Sequence, residues 1–111
     1  MSRYVPERGE VALLDLNPQA GHEEAGRRPV LILSPQNYNK KTGLALVCPL
    51  TTKVKGYAFE VPTNLQGRAG AVLADHVKSV DWSARKAARV GTLPAEVVDR
   101  VAAIVASLVE A

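Results

Sequence analysis

Before the last twenty residues, no apolar run in this chain outlasts a single β-strand, and residues that favour turns close almost every run. Glu10-Val11-Ala12-Leu13-Leu14-Asp15-Leu16 is apolar almost throughout and stops at Asn17-Pro18. Val30 to Leu33 is a β-rich stretch too short for a stable helix, and it suits a central strand buried on both sides. Asn37 to Gly43 reads as a turn and Leu44 to Leu50 as a third strand. A fourth strand is expected at Ala58 to Val61 after the Lys55-Gly56 break, and a turn at Gly67 to Gly70. Ala71 to Ala74, Lys78 to Trp82 and Ala88 to Gly91 complete the series. None of the intervening segments is long enough to serve as a helical crossover, so a parallel sheet is excluded and a compact barrel is expected.

The end of the chain follows a different period. Val97, Val101, Ile104 and Leu108 recur at helical spacing, with Val98 and Val105 widening the stripe. Thr92, just ahead of Pro94 and Glu96, is the expected N-cap. At 111 residues the sequence suits one domain spanning 1–111, and no run approaches the roughly 20 apolar residues of a membrane span. MSRYVPERGE at the start lacks the apolar core of a secretory signal. Cys48, the lone cysteine, lies in an apolar run, which favours a small buried residue in a reducing cytoplasm.

Charge is unevenly placed. Residues 40–89 hold nine Lys or Arg against three acids, whereas residues 1–39 hold four against five. A central basic surface suits a polyanionic partner such as RNA, DNA or an acidic peptide, although an ordinary solvated face has the same composition. The sequence contains no GxxxxGK[ST] loop, no GxSxG elbow and no HExxH, and one cysteine is too few for a thiolate zinc site. The pairs His22 with Glu23 and Asp75 with His76 lack a metal-ligand spacing, so no metal or other cofactor is expected.

The densest chemistry lies in His22-Glu23-Glu24-Ala25-Gly26-Arg27-Arg28-Pro29, where two carboxylates, an imidazole and two guanidiniums stand beside glycine and proline. By itself this segment is either a reaction centre or a solvated loop with weak surface ion pairs.

The sequence resembles the MazF/PemK family of bacterial toxins over nearly its whole length. Arg3-Tyr4-Val5-Pro6, Gly9-Glu10, Asp15 with Pro18, the loop Gly21 to Pro29, Ser34-Pro35 with Tyr38-Asn39, and Lys41-Thr42-Gly43 carry the likeness in the first half. Pro49 with Thr51-Thr52, Lys55-Gly56-Tyr57 with Phe59-Glu60-Val61, and Leu73-Ala74-Asp75 with Val77-Lys78-Ser79 carry it in the second. The resemblance implies a small SH3-like β-barrel with a C-terminal helix, a homodimer, and an antitoxin whose acidic, disordered tail competes with RNA. It also implies metal-independent cleavage of single-stranded RNA at a short motif such as ACA, leaving a 2′,3′-cyclic phosphate and a 5′-hydroxyl. The substrate's own 2′-OH is then the nucleophile, so DNA should survive.

Such a reaction needs a base, stabilisation of the phosphorane charge and a proton for the departing 5′-oxygen. By the resemblance, Glu23 is the base, helped if burial or Glu24 raises its pKa above the reference of about 4.3. Arg28 matches the family's key arginine; its planar fork suits two phosphate oxygens, and its reluctance to lose a proton favours charge stabilisation over acid catalysis. Thr51 matches a threonine near the scissile phosphate. Thr52, Lys53, Lys55 and Lys78 are expected to contact the substrate, and Tyr57 and Trp82 either stack bases or pack. His22 stands where serine is usual in the family and His76 where glutamine is usual, so His22 could share acid–base or backbone work and His76 could alter base preference. The proton donor to the leaving oxygen stays open among His22, water and Arg28. Two other readings use the same fold, a non-enzymatic toxin that poisons a topoisomerase and a nucleic-acid-binding repressor of its own operon.

Overall fold

The structure, a computed structural model, describes residues 3–15 and 26–110. In chain order it has β1 (Glu10–Asp15), β2 (Arg27–Ile32), α1 (Gln36–Thr42), β3 (Leu44–Thr51), β4 (Glu60–Leu65), β5 (Arg68–Leu73), β6 (Lys78–Asp81), β7 (Ala88–Thr92) and α2 (Ala95–Glu110). A 3-10 turn, Ala74–His76, joins β5 to β6. The strands form one seven-stranded sheet in the order β4-β5-β3-β2-β1-β7, with β6 attached to β3.

β3 organises the sheet because it is long enough for three neighbours. Val47 to Pro49 pair with β2, Leu44 to Val47 pair with β6, and Leu50 and Thr51 pair with β5. Its two halves thus hold different partners along one edge, which curls the sheet into a half-barrel. The β4–β5 turn is tied to edge strand β7 where the Gln66 side-chain amide donates to the Val90 carbonyl at 2.9 Å.

Strand alternation sends consecutive side chains into two cores. Val11, Leu31, Cys48, Val61, Val72, Val98 and Val101 form one, beneath α2. Ala12, Leu14, Val30, Ile32, Val47, Val80 and Trp82 form the other. β2 contributes to both, in agreement with a central strand covered on both faces. The valine and isoleucine stripe of α2 faces the first core, and fully burying Val101 stabilises the fold by about 1.5–3 kcal/mol. Among the described residues no helix is long and apolar enough to cross a membrane.

Four boundaries differ from expectation. The expected turn at 37–43 is helix α1, ended by Gly43 in the left-handed region (φ 76°), whose N–H returns to Asn39 O. Tertiary bonds hold this short helix. Asn39 is fully buried; its amide donates to Pro6 O and Ser34 O, its side-chain oxygen accepts from Ser34 Oγ, and its carbonyl accepts from Trp82 Nε1. The fourth strand begins at Glu60 and runs on through Pro62, Thr63 and Asn64, polar residues that mask it from an apolar reading; its position at the sheet edge tolerates the proline. The expected turn at 67–70 contracts to Gln66-Gly67, both with positive φ (52° and 85°), as a two-residue hairpin requires, and Arg68 already belongs to β5. Thr92 pairs with Glu10 in the sheet instead of capping α2, whose first N–H bonds go to the Pro94 carbonyl.

Candidate active site

A cleft of about 490 Å³ opens where β2, the end of β3 and the β4–β5 hairpin meet. Arg28 and Pro29 come from β2, Leu50 to Lys53 from β3 and the segment after it, and Thr63, Leu65, Gln66 and Arg68 to Gly70 from the hairpin.

β2 separates the two adjacent arginines that the sequence left side by side. Arg27 is a clamp: Nη1 donates to Asp15 Oδ1 at 2.7 Å, and Nη2 donates to the Lys86 carbonyl at 2.6 Å. One residue further along the pleat, Arg28 lines the cleft and is exposed. Arg28 is therefore placed to meet a ligand, while Arg27 is occupied in holding β1, β2 and the segment before β7 together.

Thr51 ends β3 at the cleft wall. Its Oγ1 accepts the Lys53 N–H at 3.0 Å, which leaves the hydroxyl hydrogen available to a ligand oxygen. Beneath it, Gly70 lies so close to the Thr51 carbonyl that a Cβ would overlap the oxygen. The segment beyond Thr51 is anchored from below. Glu60, 6 % exposed, accepts the Lys55 N–H with both carboxylate oxygens at 3.0 and 3.1 Å and the Gly56 N–H at 2.6 Å. In the sequence this carboxylate has no role beyond its place in the family resemblance, because its anchoring depends on chain reversal over residues 52–59.

Of the residues expected at the site, Arg28, Thr51, Thr52 and Lys53 converge on the cleft. Lys55, His76 and Lys78 do not line it. Lys55 has its backbone held by Glu60, Lys78 pairs with Val47, and His76 Nε2 sits 3.8 Å from Asp75 Oδ1. His22 and Glu23 lie outside the described residues. Trp82 is core, 6 % exposed with its indole N–H donating to Asn39 O, which removes it as a stacking platform. Tyr57 remains exposed, lies edge-on to Phe59 and donates to Asp75 Oδ1 at 3.0 Å. Burial, followed by the Asp75 charge, pushes the Cys48 thiol up to about 12, as suits a core residue. Gln66 and Arg68 also line the cleft and were not anticipated: Arg68 fell in the expected turn at 67–70, and Gln66 just before it.

The chain is thus a small β protein, with a curled antiparallel sheet, one packed C-terminal helix and a cleft lined by cations and hydroxyls. The family model of the PemK-like, MazF-like toxins of type II toxin-antitoxin systems matches residues 7–109, and the chain belongs to that family. It is 50% identical over 96 residues to the endoribonuclease toxin MazF of Escherichia coli (strain K12), covering 86% of each chain. It is 35% identical over 100 residues to the Escherichia coli endoribonuclease PemK, covering 86% of this chain and 75% of that one. Among solved structures, MazE-MazF (Form-II) from Deinococcus radiodurans superposes with a TM-score of 0.88 at 46% identity, covering 97% of this chain and 98% of that one.

Proposed function

We propose that this endoribonuclease toxin cuts single-stranded RNA at a short motif by metal-independent transesterification in the Arg28–Thr51 cleft. The supporting observation is that Arg28 and Thr51 line one open cleft together with Lys53 and Arg68. In the reaction, the 2′-oxygen of the substrate bonds to the adjacent phosphorus and the P–O5′ bond breaks, giving a 2′,3′-cyclic phosphate and a 5′-hydroxyl. Glu23 takes the 2′-OH proton, and the departing 5′-oxygen gains a proton from His22, water or Arg28. Arg28 holds two phosphorane oxygens with its paired N–H donors, and Thr51 donates a further hydrogen bond. Lys53 contributes attraction to the backbone that is sequence-independent and salt-dependent.

The whole chain acts as one toxin domain in the cytoplasm, as a homodimer, and is silenced by an antitoxin whose acidic, disordered tail occupies the basic cleft. His76 and Lys78 contact nucleotides beyond the cleft, where His76 adjusts the base preference. The test is incubation of the purified protein with a long RNA in the presence of a chelator, followed by mapping of the 5′ ends. Cleavage at a recurring short motif with 5′-hydroxyl ends, and none of a DNA of the same sequence, is the expected result. A shifted RNA band without product would replace catalysis with binding.

A further inference from the structure

Beyond the cleft, the segment after β3 carries an aromatic ring that is both exposed and fixed. Tyr57 is 38 % exposed, yet its hydroxyl donates to Asp75 Oδ1 at 3.0 Å and its ring stands at 84° to that of Phe59, with centroids 6.3 Å apart. Its backbone is equally constrained. The Glu60 N–H donates to the Tyr57 carbonyl at 3.1 Å, the Ala74 N–H donates to the Phe59 carbonyl at 3.0 Å, and the buried Glu60 carboxylate accepts from the Gly56 N–H. An exposed side chain ordinarily keeps its rotamer freedom, whereas this one is tied at backbone, ring and hydroxyl. Edge-to-face packing takes up at most one face of a ring, so Phe59 leaves the other face of Tyr57 outside their contact.

We propose that Tyr57 is a nucleobase platform outside the cleft: one base of the bound RNA stacks on its ring, and Asp75 is a positioning residue that holds the ring in place. The inference rests on the RNA-cleaving reading above. Lys53 lines the cleft and Lys55 follows it toward Tyr57, both exposed, and exposed His76 stands 3.8 Å from the Asp75 oxygen that accepts the hydroxyl. Cations along the backbone beside an aromatic ring are the recurring means of holding a single strand. A ring that is already immobilised also loses little freedom when a base settles on it. The spacing suits a short strand. Glu60 opposite Leu73 stands three residues along β4 from Thr63 opposite Gly70 at the cleft, a step on the order of 10 Å, which a few nucleotides span. Stacking tolerates any base, so the platform contributes affinity and register, and selectivity is left to groups at the base edge.

Tyr57→Ala removes the ring, Tyr57→Phe keeps it without its tether, and Asp75→Ala releases the tether and keeps the tyrosine. Each is compared with the parent in binding RNA oligonucleotides blocked by one 2′-deoxyribose at the cleaved position and carrying an abasic site moved along the strand. In the parent, one abasic position outside the cleft should weaken binding roughly tenfold through lost stacking. In Tyr57→Ala the intact strand should bind weaker by the same factor, and that position alone should cost nothing more. 2-Aminopurine placed there should be quenched by the parent and by Tyr57→Phe but not by Tyr57→Ala. On cleavable RNA, Tyr57→Ala should raise KM roughly tenfold with a smaller change in kcat, and Tyr57→Phe and Asp75→Ala should fall between it and the parent. Identical abasic profiles in the parent and Tyr57→Ala would overturn the platform and leave the ribonuclease reading intact. So would weakening spread evenly over all positions, the mark of a purely structural role. A Tyr57-dependent position in a parent protein that binds but does not cut would keep the platform and overturn the catalytic reading.

Discussion

The Thr51 carbonyl lies where a Cβ on Gly70 would stand, so the end of β3 and the β4–β5 hairpin meet backbone to backbone, with no room for a side chain. This contact sets the position of the Thr51 hydroxyl against the rest of the cleft. Gly70→Ala must push the two segments apart. Overpacking of this kind costs about 1–3 kcal/mol, read as a lower denaturation midpoint. RNA cleavage should fall further than the stability loss explains, because Thr51 moves with the strand.

Arg27 and Arg28 should separate cleanly on mutation. Arg28→Ala is expected to reduce cleavage by at least roughly a hundredfold, the scale for removing one donor to a developing oxyanion, with an unchanged melting temperature. Arg28→Lys should recover only part of the rate, since an ammonium lacks the planar fork. Arg27→Ala should show the reverse, a loss of about 1 kcal/mol with most of the cleavage retained, because its bonds go to Asp15 and Lys86. Equal rates for the parent and Arg28→Ala on an RNA oligonucleotide would remove Arg28 from the reaction.

Glu60 holds the segment that carries Lys53 and Lys55. Glu60→Leu leaves the Lys55 and Gly56 N–H groups without their acceptor in a half-buried setting, at about 1–3 kcal/mol for each group. Amide hydrogen exchange at Lys55 and Gly56 should accelerate ahead of the sheet, and RNA binding should weaken with a smaller salt dependence.

Alkaline pH should destabilise the protein through Cys48. The folded thiol titrates near 12 against an ordinary value of 9.0, so between these values the unfolded chain has lost a proton that the native state still holds. Stability is full below about pH 9 and declines as pH rises toward 12. Cys48→Val should flatten that decline, measured as denaturation midpoints from pH 8 to 11. Tyr4 adds to the same trend, since burial and its hydrogen bond to Glu10 raise its phenol. For the same reason Cys48 should resist alkylation at neutral pH unless the protein is unfolded.

Much of the architecture was legible because it rests on local periodicity. Val30 to Leu33 declared a strand buried on both faces by being apolar at every position, and the α2 stripe declared a helix with one covered face. Where polar residues build an element, the signal disappears. Pro62-Thr63-Asn64 looks like a loop and is an edge strand; Asn37 to Thr42 looks like a turn and is helical, because Asn39 spends its polar groups on Pro6, Ser34 and Trp82. Trp82 could equally have been a stacking surface until the burial of its indole settled the matter.

The sequence alone therefore determined the class of fold, the closing helix, the burial of Cys48 and, through its resemblance, the toxin family, and it put forward Arg28 and Thr51 as residues to test. Only the tertiary structure decided which of two neighbouring arginines faces the cleft, that Glu60 anchors the segment beyond Thr51, and that Thr63, Gln66 and Arg68 stand in the same wall. The physical reason is the range of the forces involved. Hydrophobic periodicity is written into neighbouring residues. A cleft is assembled by long-range strand pairing, and residues as far apart as Arg28 and Arg68 become neighbours only once β3 has chosen its partners.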